Sequence, residues 1–157
     1  MKKLLYLSTA ISLIFMACGD KDDEKRDMQR PSITDKGIEV SPSNCQSFKR
    51  GDSIPFRYVF TDNEELGAYN IEIHNNFTHH THSTAKEDCD LDTEKHPVNP
   101  WVYNHDFAIP QNSTEYTADF NIPVPKDKDV GDYHFMIRLT DKAGWQEIKS
   151  VEIKITE

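Results

Sequence analysis

The sequence predicts an all-β, antiparallel β-sandwich of about seven strands, on three observations. Segments of strictly alternating residues recur, Ile54, Phe56, Tyr58 and Phe60 being the clearest; this is the period of strands with one buried face. Turn-forming clusters punctuate them, among them Gly51-Asp52, Asp62 to Gly67 and Asp141 to Gly144. No stretch shows a convincing helical period. Seven short strands in about 125 residues suit two packed sheets.

The N-terminus reads differently. Lys2 and Lys3 precede a largely apolar run, Leu4 to Ala17, which is too short to anchor in a bilayer. Residues 1–17 are predicted to be a signal peptide. Phe15-Met16-Ala17-Cys18 resembles a bacterial lipobox, so Cys18 is predicted to be lipidated. The plainer alternative is ordinary cleavage that leaves a free thiol there. Gly19-Asp20-Lys21-Asp22-Asp23-Glu24 follows and is similar to the surface-export signal of Bacteroidota lipoproteins. Residues 18–32 are read as the lipidated N-terminus and a flexible tether, and 33–157 as one sandwich domain. The expected location is the outer membrane, exposed at the cell surface, with the lipid as the membrane contact.

The whole chain has 157 residues, with 18 basic and 27 acidic side chains, enough for one domain. Without Lys2 and Lys3 the balance is 16 against 27, a formal charge of −11. Such a surface repels phosphate backbones, so nucleic acid is excluded as a partner, whereas a cation is attracted.

Along the domain, Ile38 and Val40 are expected to form the first strand, before the Ser41 to Asn44 turn. Gly51-Asp52 opens the second, where Pro55 implies an edge or bulge. The third begins at Tyr69. Lys86 to Pro100 is a long polar excursion. Trp101 to Ile109 is the fourth strand. Tyr116, Ala118, Phe120 and Ile122 mark the fifth, and Tyr133, Phe135, Ile137 and Leu139 the sixth. Trp145 to Ile155 is the last; its parity slips between Ile148 and Val151, which suggests a bulge. Asp129-x-Gly131-x-Tyr133 resembles the tyrosine corner of immunoglobulin-like sandwiches, in which the hydroxyl bonds to backbone just upstream; the alternative is a plain hairpin entry.

With Cys18 taken by lipid, Cys45 and Cys89 remain. Export favours a disulfide between them. Two separate buried thiols and thiolate metal ligation are the alternatives, although neither cysteine has a CxxC partner.

The chemistry concentrates in Tyr69 to Thr84, which holds four of the seven histidines: His74, His79, His80 and His82. In an extended chain His74, His80 and His82 share one parity. The third and sixth strands are expected to be sheet neighbours, each with apolar residues on one parity and a histidine on the other. His74 and His134 then face away from the core together, and His80 and His82 can fold back over them. Three or four imidazoles suit Zn²⁺ or Cu²⁺; against that stands a solvated polar loop. The Asp62 to Glu65 turn could offer oxygen ligands to calcium, although acidic turns are usually just solvated. No GxSxG, P-loop, GxGxxG or HExxH is present, and the chain is read as no enzyme.

Asp62-Asn63 with Leu66-Gly67, Ile73-His74-Asn75-Asn76-Phe77-x-His79-His80-x-His82, and Gly131 to Asp141 with Lys142-x-Gly144-Trp145 together resemble the Bacteroidota lipoprotein family catalogued as domain of unknown function 4625. The resemblance implies an exported, immunoglobulin-like lipoprotein and carries no activity. Two functions follow as expectations. One is a surface lipoprotein that binds a transition metal through His74, His80, His82 and His134, for capture or handover to an outer-membrane uptake partner. The other is a metal-free adhesion or glycan-associated module.

Overall fold

A computed structural model describes residues 26–80 and 89–157. The expected signal peptide, the lipidation site Cys18, the acidic run behind it and His82 lie outside the described residues. The strands, in chain order, are β1 (Ser32–Thr34), β2 (Gln46–Lys49), β3 (Ser53–Thr61), β4 (Leu66–Asn75), β5 (Tyr103–Ala108), β6 (Glu115–Pro123), β7 (Gly131–Asp141) and β8 (Gln146–Thr156). One sheet is ordered β1-β3-β6 and the other β2-β8-β7-β4-β5. No helix occurs among the described residues. The class is all-β, and the architecture is a β-sandwich.

The inner faces are the parities that the sequence marks as apolar. Phe56 stacks on Tyr69 and Phe135 across the two sheets, with ring centroids 6.1 and 5.8 Å apart. Ile54, Tyr58, Phe60, Ile71, Ile73, Ile137, Leu139, Val151 and Ile153 complete this core. Phe120 is only half-buried, because β6 is an edge strand of the smaller sheet. Tyr133 is fully buried. Its hydroxyl donates to the Asp129 carbonyl at 2.6 Å and accepts from the Trp101 amide at 3.2 Å. The upstream bond expected of a tyrosine corner is therefore present. Cys45 and Cys89 are disulfide-bonded, which ties the entry to β2 to the long excursion.

Several expectations need correction. Among the described residues there are eight strands, and the added one, β2, runs parallel to β8 from Gln46↔Ile153 to Lys49↔Thr156, so the sandwich is not wholly antiparallel. The first strand is Ser32–Thr34 rather than Ile38–Val40: Lys36 and Gly37 take φ values of 40° and 81°, which turns the chain there. The β7–β8 register runs unbroken from Gly131↔Ile155 to Thr140↔Gln146, so the expected bulge after Ile148 is absent. Ile148 lies opposite Arg138 and is simply exposed. The register instead shifts between Leu66 and Ala68. A Cβ on the intervening Gly67 would come within 2.8 Å of the Thr140 carbonyl oxygen, closer than a side chain tolerates.

Burial raises the Tyr58 phenol from its ordinary 10.0 to about 12, and burial, with the nearby Asp129 carboxylate, pushes Tyr133 up as well. The unfolded chain releases these protons first. Their contribution to stability is thus complete below pH 10 and declines as pH rises toward 12. The urea midpoint is expected to fall as pH passes about 10, and Tyr58→Phe to flatten that fall. A midpoint independent of pH over this range contradicts the burial argument.

Candidate metal centre

The register of β4 against β7 builds the centre. Ile73 lies opposite Phe135 and His74 opposite His134. Because alternate side chains take opposite faces, the first pair enters the core and the histidines share the outer face. The next strand continues the row, with Glu152 of β8 opposite His134.

Beyond Asn75 the chain reverses. The Asn76 amide donates to the Asp132 carbonyl at 2.8 Å, and the His79 amide to the Asn76 carbonyl at 3.1 Å. Phe77 is buried edge-on against Tyr133, with ring centroids 5.3 Å apart. His79 takes φ of 54°, the left-handed region in which His is among the more tolerated residues. This turn sets His80 over the outer face of the sheet. The His80 ring lies 5.6 Å from that of His74 and 4.9 Å from that of His134, centroid to centroid. The His80 carbonyl accepts from His134 Nε2 at 2.8 Å.

One ring nitrogen from each of His74, His80 and His134 lies within 4.8 Å of the other two. Ligand nitrogens on a tetrahedral zinc, with bonds of about 2.0–2.1 Å, are about 3.4 Å apart. The rings need to close in by at most about 1.4 Å. Carboxylates stand behind two of them: Glu72 Oε1 is 3.0 Å from His74 Nδ1, and Glu152 Oε1 is 2.9 Å from His134 Nδ1. These are close contacts rather than aligned hydrogen bonds; they approach the usual arrangement of histidine ligands, in which the outer N–H meets a carboxylate and the other nitrogen turns to the metal. Glu152 is itself held, as Oε2 accepts from Asn76 Nδ2 at 3.2 Å and its amide donates to Asn44 Oδ1 at 2.9 Å.

The face is drier than the sequence implies. The His134 side chain is 0% exposed and that of His74 20%. Glu152 also borders a 480 Å³ depression lined by the disulfide, Asp132 and Lys154.

Of the proposed ligands, His74, His80 and His134 come together and His82 lies outside the described residues. His79 turns elsewhere: its Nε2 is 2.9 Å from the Asp92 carbonyl oxygen. His105 packs on Tyr103 in β5. Sequence reasoning missed Glu72 and Glu152. Glu72 shares the parity of His74 and was findable; Glu152 emerges only from the β7–β8 register.

The family model described as Domain of unknown function (DUF4625) matches residues 16–156. The chain belongs to this family. No curated protein matches it. Among solved structures, this DUF4625 member is similar to Spo0M, a sporulation control protein from Bacillus subtilis, at 8% identity and a TM-score of 0.43, over 82% of this chain and 49% of that one. The chain spans about half the length of that chain.

Glu152→Ala removes the carboxylate that meets the buried His134 imidazole and is expected to cost about 1–3 kcal/mol in urea unfolding of metal-free protein. Glu152→Gln, which keeps an acceptor there, should cost clearly less. Equal losses would mean that the carboxamide oxygen does not replace the carboxylate at Nδ1.

Proposed function

We propose that the protein is an exported, lipid-anchored lipoprotein of the Bacteroidota surface type, whose immunoglobulin-like sandwich binds Zn²⁺ or Cu²⁺ for capture or handover. The observation that carries this reading is the convergence of three imidazole nitrogens within 4.8 Å, two of the rings backed by carboxylates. Imidazole favours these ions over Ca²⁺ or Mg²⁺. The Glu72 and Glu152 carboxylates would hold the Nδ1 protons, leaving Nε2 of His74 and His134 for the metal. At His134 the metal would take the place of the His80 carbonyl. Three protein ligands leave a fourth position for His82, water or a donor from an uptake partner, and an open position suits transfer better than storage.

Calorimetric titration with Zn²⁺ and with Cu²⁺ tests the site. Wild-type protein should bind one ion, with affinity that falls at acidic pH, since protonated imidazole cannot ligate. His80→Ala, His74→Ala and His134→Ala should each weaken binding more than Glu152→Gln, for which loss of an orienting partner predicts about 10–100-fold. Thermal melts of each variant separate lost ligation from lost fold. His82→Ala reports whether that residue supplies the fourth donor. Absence of binding, or binding that survives His74→Ala and His134→Ala, overturns the assignment and returns the protein to the metal-free adhesion reading.

The anchor rests on the lipobox-like Phe15 to Cys18 and the acidic run after it. Cys18→Ala is expected to release soluble protein or leave an unprocessed precursor. Unchanged membrane fractionation and mature mass would contradict lipidation.

A further inference from the structure

At the opposite end of the same two strands lies a second group of ionisable side chains. β7 ends in Asp141, which is paired with Leu66 at the start of β4. Asp62 follows directly on β3, and Asp27 belongs to the segment that precedes β1. One carboxylate oxygen from each of Asp27, Asp62 and Asp141 lies within 4.8 Å of the other two.

Three carboxylates at this spacing repel one another and need a counter-charge. No ion pair among the described residues reaches any of them. Lys142 Nζ instead lies 3.9 Å from Glu65, and Arg30 sits 6.0 Å over the Trp145 ring. Hydrogen bonds satisfy only half of the two deeper carboxylates. Asp141 Oδ1 accepts the Trp145 amide at 2.8 Å, and Asp62 Oδ1 accepts the Glu64 and Glu65 amides at 2.9 Å. Asp141 is 4% exposed, and its Oδ2, like Asp62 Oδ2, is buried with no hydrogen-bond partner among the described residues. A buried carboxylate oxygen without a donor is costly, and a cation removes that cost.

The geometry points to a calcium site formed by Asp27, Asp62 and Asp141, distinct from the imidazole centre. Oxygens bound to one Ca²⁺ at about 2.3–2.6 Å can be up to about 5 Å apart, whereas Mg²⁺ at about 2.0–2.1 Å limits them to about 4 Å. Oxygens that all lie within 4.8 Å of one another fall inside the span of a Ca²⁺ shell. All donors are hard oxygens, which excludes preference for the ions that imidazole selects. The remaining coordination is open to water: a depression of about 310 Å³ lined by Asp27, Glu64, Glu65, Lys142 and Ala143 adjoins the cluster. The turn after β3 supplies Asp62, but its Glu64 and Glu65 are not members of the trio. A bound ion ties the segment before β1 to the ends of β3 and β7. It would therefore fix how the domain leaves its N-terminal tether.

Trp145 provides the readout, because its Nε1 donates to the Asp27 carbonyl at 3.0 Å. Tb³⁺, a luminescent stand-in for Ca²⁺, should glow when excited through this indole, and millimolar Ca²⁺ should quench the signal by competition while equal Mg²⁺ does so at least about 10-fold less effectively. Millimolar Ca²⁺ should also raise the thermal midpoint by about 2–5 °C, beyond any effect of NaCl at equal ionic strength. Asp27→Asn, in a segment outside the core, and Asp62→Asn should each weaken Ca²⁺ competition at least about 10-fold. Asp127→Asn, a carboxylate elsewhere on the surface, should leave it unchanged. The proposal is overturned if wild-type protein shows no Ca²⁺-sensitive signal and no shift, or if both persist in Asp27→Asn and Asp62→Asn. His74→Ala should leave every Ca²⁺ result intact, so failure of this site and failure of the imidazole centre are read separately.

Discussion

The pairing of β4 with β7 sets Ile73 against Phe135 and His74 against His134 in consecutive rungs. A slip of one residue would exchange the two faces, placing imidazoles among Phe56, Tyr69 and Tyr133 and aromatic rings under His80. The cost of burying such polar groups without partners makes the slipped register untenable. The apolar core thus fixes the position of the histidines, although it makes no use of them. The bulge at Gly67, where Gly67 packs on the Thr140 and Asp141 carbonyls, ends this register at the other extreme of the strands.

His134 is the residue that a purely structural account explains least well. It is fully buried, on the face of the sheet turned away from the core. An apolar residue there would avoid desolvating an imidazole and a nearby carboxylate. The molecule instead commits Glu152, Asn76, Asn44 and the His80 carbonyl to a polar network around it. Such networks give little net stability and hold side chains in one geometry. Holding imidazole nitrogens at fixed positions is what a ligand set requires.

Much of this was legible in the sequence because it depends on local period. Alternation located β3, β4, β6 and β7, and parity, with the expected pairing of the third and sixth strands, placed His74 and His134 on one outer face. Pairing arithmetic found the Cys45–Cys89 bond. What escaped depends on contacts between distant segments. β2 has four residues and one buried side chain, Phe48; its strand character comes from parallel pairing with β8, which leaves no period to read. Ile38 and Val40 alternate, but Lys36-Gly37 turns the chain before they can pair. Ile148 broke the parity of β8 because it is an exposed apolar residue, which needs no bulge to explain it. Glu152 carries no motif and Asp141 reads only as a turn and family-motif residue; the register and the close approach of Asp27 reveal what they face.

β4 and β7 carry imidazoles at one end; at the other, Asp141 of β7 meets Asp62, which follows β3, and Asp27, which precedes β1. His134 and Asp141 are seven positions apart on a continuous strand, about 23 Å at the rise of an extended chain. That exceeds the roughly 7–10 Å beyond which independent sites cease to couple, and at physiological salt it also exceeds the screening length. Each end can therefore hold its own ion without competing for the other's. Imidazoles discriminate for borderline transition metals and carboxylates for hard cations, so the proposed ions would not compete in one medium. The two ends also differ in surroundings: the imidazole end lies beside the disulfide-lined depression through Glu152, and the carboxylate end gathers Asp27 from the segment before β1. An ion at the second would set the direction of the domain, and an ion at the first would be what the domain presents.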